Sequence, residues 1–278
     1  MSHPIVERLR HPDPEERRAA CLAARGDPAA ALLADALGHA LGDPVKAVAR
    51  AASDALVEIG RRERHVDAVL REALRSESPR RRFTAAYTSV RLQPPTPGLL
   101  PALLEALGST DGDVRWAAAR ILVELGRLHG EVLGVLVGLL RGGEDAVVRR
   151  MAAFCLRELA PDRPESANVL VAATRDPDLH VRRAALSALA GLLDPPPEVW
   201  DRLLEVLMKD GDSAAKRIAA VALGELGAGS PTSLPAGACD CLRALAARAP
   251  EVDLRRAAER ALARLEGRTP RVARGNGD

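Results

Sequence analysis

The chain contains a short segment rich in alanine and arginine that recurs eight times, and this repetition constrains the fold more than any other feature. When the basic residue of each copy is numbered zero, position +3 is alanine in every copy. Position +7 is leucine in six copies, and position +10 is isoleucine or leucine in seven. The eight position-zero residues, 32 to 39 residues apart, are Arg17, Ala49, Arg82, Arg115, Arg149, Arg182, Lys216 and Arg255. A period of this length is typical of tandem-repeat proteins, in which each unit packs on its neighbours.

Each recurring segment is predicted to form one amphipathic helix. At about 100° per residue, positions −1, +3, +7 and +10 fall on one helix face. Alanine at +3 allows neighbouring helices to cross closely, because a larger side chain would hold the backbones apart. A second apolar helix precedes each segment, as in LLPALLEALG, and a short acidic turn such as STDGD joins the two. An aspartate in this turn is expected to cap the second helix.

This pattern resembles the HEAT-repeat family, and in particular the short bacterial HEAT-like repeats also found in phycobilin lyases. The resemblance implies an all-α fold, a right-handed α-solenoid (superhelix) of about eight two-helix HEAT-like repeats, within a single domain over residues 1–266. The predicted repeats lie near residues 4–26, 27–60, 64–92, 97–127, 130–160, 164–193, 197–227 and 237–266. The Gly/Pro/Ser-rich segment 228–238 is predicted to be a loop, and residues 267–278 a disordered tail.

The family also implies an ion-pair pattern along the turns. Its turn aspartate commonly pairs with the arginine that follows, and a ladder of such pairs runs from repeat to repeat. Asp113 with Arg115, and Asp178 with Arg182, fit this spacing.

The composition argues against several classes of function. The chain has 40 Lys+Arg against 38 Asp+Glu, so its net charge of +2 lacks the basic excess typical of nucleic-acid or anionic-membrane binding. The sequence has no apolar run of membrane-spanning length and no secretory leader, which predicts a cytoplasmic protein. Cys239 and Cys241 are separated by one residue, unlike most zinc pairs, and Cys21 and Cys155 read as small buried thiols.

No motif predicts chemistry, so the chain is interpreted as a non-enzyme without catalytic residues, metal or cofactor. One alternative is a nucleic-acid-binding protein similar to HEAT-like DNA glycosylases, because Asp113 and Trp116 lie one repeat from Arg149 and Arg150. That likeness is one of architecture, and Asp113 has an ordinary role as a turn acid. A chromophore lyase or chaperone of the HEAT type is a further alternative, through the repeat alone.

The candidate site lies opposite the buried helix face, at positions +1, +5 and +8. The resemblance implies that second helices line the concave side of the solenoid. The predicted partner-binding residues are Arg18, Arg50, Phe83, Tyr87, Trp116, Arg120, Arg150, Phe154, Arg157, Arg183, Arg217 and Arg256. Four of the five aromatic residues of the chain belong to this set, whereas Trp200 is predicted to pack on the convex side.

These residues predict a protein-binding scaffold or adaptor. A central aromatic patch would anchor an apolar segment of another protein or peptide, and the flanking arginines would attract acidic groups around it. Two alternatives stay open at this point. The arginines could only solvate the face and pair with neighbouring acids, and the aromatics could fill the core if the helical phase is shifted by one residue.

Overall fold

The computed structural model describes residues 3–229 and 234–267, and these residues form sixteen α-helices. The helices are α1 Pro4–Arg8, α2 Pro14–Ala24, α3 Ala30–Ala40, α4 Lys46–Gly60, α5 His65–Ala73, α6 Pro79–Val90, α7 Leu100–Ala106, α8 Gly112–Leu128, α9 Glu131–Gly142, α10 Ala146–Leu159, α11 Pro164–Ala173, α12 Leu179–Leu189, α13 Pro197–Lys209, α14 Ser213–Gly229, α15 Ala238–Arg248 and α16 Val252–Leu265. A 3₁₀ turn, Pro97–Leu99, precedes α7. This architecture confirms the predicted all-α fold of two-helix repeats.

Each predicted repeat range holds one pair of helices, and α8 and α14 extend past their ranges by one and two residues. Parts of the predicted loop and tail, residues 230–233 and 268–278, lie outside the described residues. The extent of a single domain over residues 1–266 stays a prediction. Of the helices in the described part of the chain, none is both long and apolar enough to cross a membrane.

The helices pack as two compact units, Met1–His129 and Gly130–Asp278. In the first unit the second helices of the repeats pack side by side in the order α2, α4, α6 and α8. In the second unit α10, α12, α14 and α16 pack in the same way, beside a row formed by α9, α11, α13 and α15. Each unit therefore repeats one simple contact, in which a second helix lies against its counterpart in the next repeat.

Closely packed alanines form the centre of both units. All eight +3 alanines, Ala20, Ala52, Ala85, Ala118, Ala152, Ala185, Ala219 and Ala258, have an exposed fraction of 0%. Five of the six +7 leucines are equally buried, and Leu262 in the last helix is half-buried. These values confirm the predicted inward face, and they explain the invariant alanine, since a larger residue at +3 would meet the neighbouring helix.

Acidic turn residues cap four of the second helices, as the sequence predicts, whereas α4 and α16 have no side-chain cap and Ser78 caps α6. Side chains of Asp13, Asp111, Asp145 and Asp178 are the N-caps of α2, α8, α10 and α12, and each accepts a hydrogen bond from a backbone N–H of the first turn. Such a bond satisfies one of the donors left open at a helix start and places negative charge at its positive end.

The predicted pairing of Asp113 with Arg115 and of Asp178 with Arg182 is wrong. Arg115 Nη1 instead donates to the carbonyls of Ser109 and Thr110, at 2.6 and 3.1 Å. Arg182 makes the same two bonds to its own turn. The reason is geometric, because a side chain on a helix points back towards the N-terminus and reaches over the preceding turn.

This contact recurs in six of the eight repeats. All six arginines at position zero donate through Nη1 to the carbonyl at position −6, and five of them also to the carbonyl at −5. These carbonyls lie where the first helix has ended and have no partner within that helix. The repeated arginine therefore ties the turn to the second helix in each of these repeats.

The second repeat lacks this arginine and receives it from its neighbour. Ala49 occupies position zero there and cannot donate. Arg80, from the third repeat, donates through Nη1 to the carbonyls of Asp43 and Pro44, which are the −6 and −5 positions of the second repeat. The same turn is thus pinned by an arginine that approaches from the next repeat.

A second set of ion pairs links consecutive repeats. Arg17 binds the Asp43 carboxylate at 2.7 Å, and Arg149 binds Asp176 at 2.8 Å. Both pairs lie largely inside the protein, and in each case the acid belongs to the turn of the following repeat. Ladder pairs therefore exist, but they join an arginine to the next turn and not to the aspartate just before it.

Candidate functional site

The second helices of the first unit present two rows of side chains away from the core. Because α2, α4, α6 and α8 pack in this order, equivalent positions follow one another from helix to helix. The +1 row is Arg18, Arg50, Phe83 and Trp116, and the +5 row is Leu22, Asp54, Tyr87 and Arg120. Every member of both rows is exposed or half-buried. One end of the surface is consequently rich in cations and the other in aromatic rings.

The aromatic end lies on α6 and α8. The ring centroids of Phe83 and Tyr87 are 6.2 Å apart, with an interplanar angle of 34°. Tyr87 is 39% exposed and Trp116 is 50% exposed, which is unusual for large aromatic side chains. The Arg91 guanidinium carbon lies 5.7 Å from the Tyr87 ring centroid, within range of a cation–π contact. The structure therefore holds Tyr87 in place while leaving much of its ring accessible.

Asp54 connects this aromatic end to the cationic end. Its carboxylate binds Arg91 at 2.8 Å and Arg25 at 3.2 Å. Arg91 also donates to the Ser53 hydroxyl, which accepts a hydrogen bond from buried Thr88. One acid on α4 thus fixes two arginines, one from the end of α2 and one from the end of α6.

The cationic end is a groove of about 460 Å³ along α2 and α4. Arg18, Arg25, Lys46 and Arg50 line it, Asp54 is its one acidic lining residue, and Leu22 and two alanines supply apolar surface. Arg50 has no carboxylate within 4.0 Å in the described part of the chain, and Arg18 has only the exposed Glu15 at 3.5 Å. The groove therefore carries positive charge that the protein itself does not fully neutralise.

Lys46 contributes little to that excess charge. Its ammonium group binds Asp113 at 2.7 Å and Asp111 at 2.9 Å. Both acids belong to the fourth repeat, whereas Lys46 belongs to the second. These carboxylates, Asp113 most of all, raise the pKa of Lys46, and the same contact lowers the pKa of Asp111. The uncompensated charge of the groove therefore resides on Arg18 and Arg50.

The second unit carries the other six predicted site residues. Arg217 and Arg256 are exposed, Arg150 is half-buried, and none of the three has a carboxylate within 4.0 Å among the residues described. Arg183 differs, because it binds both oxygens of Asp212 at 2.7 and 2.8 Å. The remaining two are Phe154, which is half-buried, and Arg157, which is exposed and lies 3.6 Å from Glu158.

The structure brings Phe83 into contact with Tyr87, and it places Trp116 on the adjacent helix α8. A binding role for the twelve residues as one surface stays a prediction. The outward face is narrower than the sequence analysis expects, because Val123 at +8 is only 5% exposed. Trp200, expected on the convex side, is buried in the second unit.

Sequence reasoning missed Lys46 and four further residues of this surface. Leu22 and Asp54 occupy the +5 positions of the first two repeats, so the repeat alignment could have identified them. Arg25 and Arg91 lie at the ends of α2 and α6, where a regular helical face no longer predicts the direction of a side chain. Their role depends on Asp54, which reaches both from a different helix.

The groups with reactive potential have structural explanations. Burial raises the pKa of the Cys21 and Cys155 thiols to about 12, so both stay protonated near neutral pH. Asp113 is 83% exposed, and Lys46 binds it at 2.7 Å. No group of His, Cys, Asp and Glu side chains within residues 3–229 and 234–267 could hold a metal ion.

A family model described as HEAT repeats matches residues 69–157, 133–205 and 167–263. No curated protein matches the chain. Among solved structures, Kap95p, whose binding induces the switch loops of RanGDP to adopt the GTP-bound conformation, is 15% identical with a TM-score of 0.66. Importin beta is 16% identical with a TM-score of 0.62, and YibA of Escherichia coli is 20% identical with a TM-score of 0.58.

The extent of these similarities differs between the three proteins. The alignments cover 97%, 95% and 94% of this chain, but only 42% of Kap95p and 40% of importin beta, against 91% of YibA. At these identities the likeness concerns the fold, an α-solenoid of stacked helix pairs.

Proposed function

The chain belongs to the HEAT-repeat family, and from that premise we propose that it is a non-enzymatic scaffold that binds another protein. Stacked repeats place side chains at equivalent positions on a continuous surface, which suits the capture of an extended or helical segment. In the first unit this surface is formed by the +1 and +5 rows of α2, α4, α6 and α8.

The observation that carries the proposal is the exposure of Tyr87 and Trp116. The chain has only five aromatic residues, and these two are exposed at the surface, where they contribute little to the core. Tyrosine, tryptophan and arginine are the residues that most often dominate the binding energy of protein interfaces. Here Arg120 lies on α8 with Trp116, and Arg91 lies at the end of α6, which carries Tyr87. The combination supports a protein partner with an apolar side chain that covers the rings.

Two further features support the finer proposal that the partner also carries acidic groups. Arg18 and Arg50 have guanidinium groups able to bind carboxylates in a bidentate manner. In the second unit Arg150, Arg217 and Arg256 are comparably available. The similarity to Kap95p and importin beta is consistent with protein binding, as an analogy of fold.

The experiment compares partner capture by the wild-type chain and by the double variant Tyr87→Ala/Trp116→Ala. Tagged proteins are incubated with extract of the native cell, and the bound proteins are identified by mass spectrometry. Leu32→Ala is the matched control, because Leu32 is a more exposed apolar residue on a first helix, away from both rows. Circular dichroism verifies that all three chains fold.

The proposal expects a stoichiometric protein that the wild type and Leu32→Ala retain and that the double variant loses by at least tenfold. Equal recovery of that protein with the double variant would contradict it.

Nucleic acid is the second candidate, because the groove along α2 and α4 is lined by four cations. Binding of a nucleic acid would show a steep loss of affinity with salt, whereas a contact anchored by Tyr87 and Trp116 would persist. Two of the four cations already bind carboxylates of the chain, which favours the protein partner.

A further inference from the structure

We infer that the first unit reads a partner segment in a fixed order, with acidic side chains over the α2–α4 groove and an apolar side chain against Tyr87 and Trp116. The inference rests on the proposed function and adds to it the arrangement of the partner's side chains. It follows from the charge of the groove, from its shape and from the distance between the groove and the rings.

Charge decides which side chains the groove accepts. Asp54 binds both Arg25 and Arg91, and Lys46 is bound by Asp111 and Asp113. Arg18 and Arg50 remain. Both occupy the +1 position of their repeats, Arg18 on α2 and Arg50 on the adjacent helix α4. Two guanidinium groups in this relation suit one or two carboxylates, through short bidentate bonds.

Shape favours an extended segment of an acidic protein over a nucleic acid. A volume of about 460 Å³ holds a few side chains, with Leu22 covering their apolar stems. A phosphate chain would need a continuous row of cations, but Asp54 and the exposed rings of Tyr87 and Trp116 interrupt the cations of this surface.

The helix spacing predicts the spacing within the partner. Helices packed side by side are about 8–10 Å apart, so α4, which carries Arg50, lies one such step from α6, which carries Tyr87. An extended chain advances about 3.3–3.6 Å per residue. The acidic residues and the apolar residue of the partner should therefore be about two or three positions apart.

The test starts with a random library of 12-residue peptides displayed on phage and selected against the immobilised full chain. The expected consensus has one or two Asp or Glu residues and, about two or three positions away, Leu, Phe or Trp. The synthetic consensus peptide, labelled with fluorescein, is then titrated with each protein variant and its anisotropy is measured.

Arg50→Glu should weaken binding of this peptide by at least tenfold, because it reverses the charge that faces the acidic residues. Arg141→Glu is the matched control, since it reverses the charge of an exposed arginine on α9, a first helix away from both rows, and it should change affinity less than twofold. A peptide with Lys in place of Asp and Glu should bind Arg50→Glu more tightly than the wild type.

The outcomes separate this inference from the proposed function. Loss of binding with Tyr87→Ala/Trp116→Ala but not with Arg50→Glu would overturn the fixed order and leave the scaffold intact. A consensus without acidic residues, or no consensus, would also overturn it. Displacement of the peptide by a single-stranded DNA of 20 nucleotides, lost in high salt, would assign the groove to nucleic acid instead.

Discussion

Arg80→Ala should destabilise the first unit, and Ala49→Arg should cost less stability in the Arg80→Ala chain than in the wild type. Arg80 lies in the third repeat but binds the two turn carbonyls that, in six other repeats, are bound by an arginine at position zero. An arginine at position 49 would start from the same helical position as those six and could reach the same carbonyls.

The expected magnitude follows from the two hydrogen bonds. A hydrogen bond involving a charged group contributes about 1.5–3 kcal/mol net. A single Nη1 of the exposed Arg80 serves both carbonyls, so Arg80→Ala should cost only about 1–2 kcal/mol. Ala49→Arg should cost about 1–3 kcal/mol while Arg80 is present, because Ala49 is 5% exposed and Arg80 already occupies the carbonyls. The two changes should therefore be coupled by roughly 1 kcal/mol.

The assay is urea denaturation of the four proteins of this cycle, followed by circular dichroism. Because repeat arrays can unfold in parts, amide hydrogen exchange around residues 43–49 is measured as a local readout. Arg61→Ala, an exposed arginine at the end of α4, is the control and should change stability by less than about 0.5 kcal/mol. Equal effects of Ala49→Arg with and without Arg80 would refute the reasoning.

Three other predictions follow from the packing and the titratable groups. Gly224→Ala should lower the free energy of unfolding by about 1–3 kcal/mol, because the new Cβ would lie 2.7 Å from the Ala261 Cα. Gly138 has open space around it, so Gly138→Ala should raise the free energy of unfolding by about 0.4–1 kcal/mol. Urea denaturation that gave both changes the same sign would contradict this. The Cys21 thiol should make the free energy of unfolding fall as pH rises above about 9, because the thiol ionises there in the unfolded chain while burial raises its native pKa to about 12. Between about pH 8 and 10.5, the free energy of unfolding should therefore decline less in Cys21→Ala than in the wild type. Arg149 lowers the pKa of Asp176, so the stability from this pair is present above the pKa of the unfolded carboxyl and is lost as pH falls through the native pKa. An NMR titration that gave Asp176 a carboxyl midpoint at or above 3.8 would be inconsistent with the pairing.

The candidate site was partly predictable because +1 and +5 positions on α6 and α8 are surface positions in any helix with this inward face. Tyr87 and Trp116 follow from that periodicity, and both are exposed. Arg183 follows from it equally, yet Asp212 engages it fully. The difference between Arg183 and Arg50 depends on which acid the next turn places nearby, and helical periodicity contains no such information.

The repeat period, the two-helix unit and the buried alanine face could be predicted from the amino-acid sequence, because each depends on residues within one or two helical turns of each other. The alanine at +3 is buried in all eight repeats for this local reason. The bonds of Arg80 to the turn of another repeat, and of Asp54 to both Arg25 and Arg91, depend on how the helices pack and could not be predicted. Arginine side chains are long and adopt many rotamers, so their partners are set by the groups that neighbouring helices bring within reach.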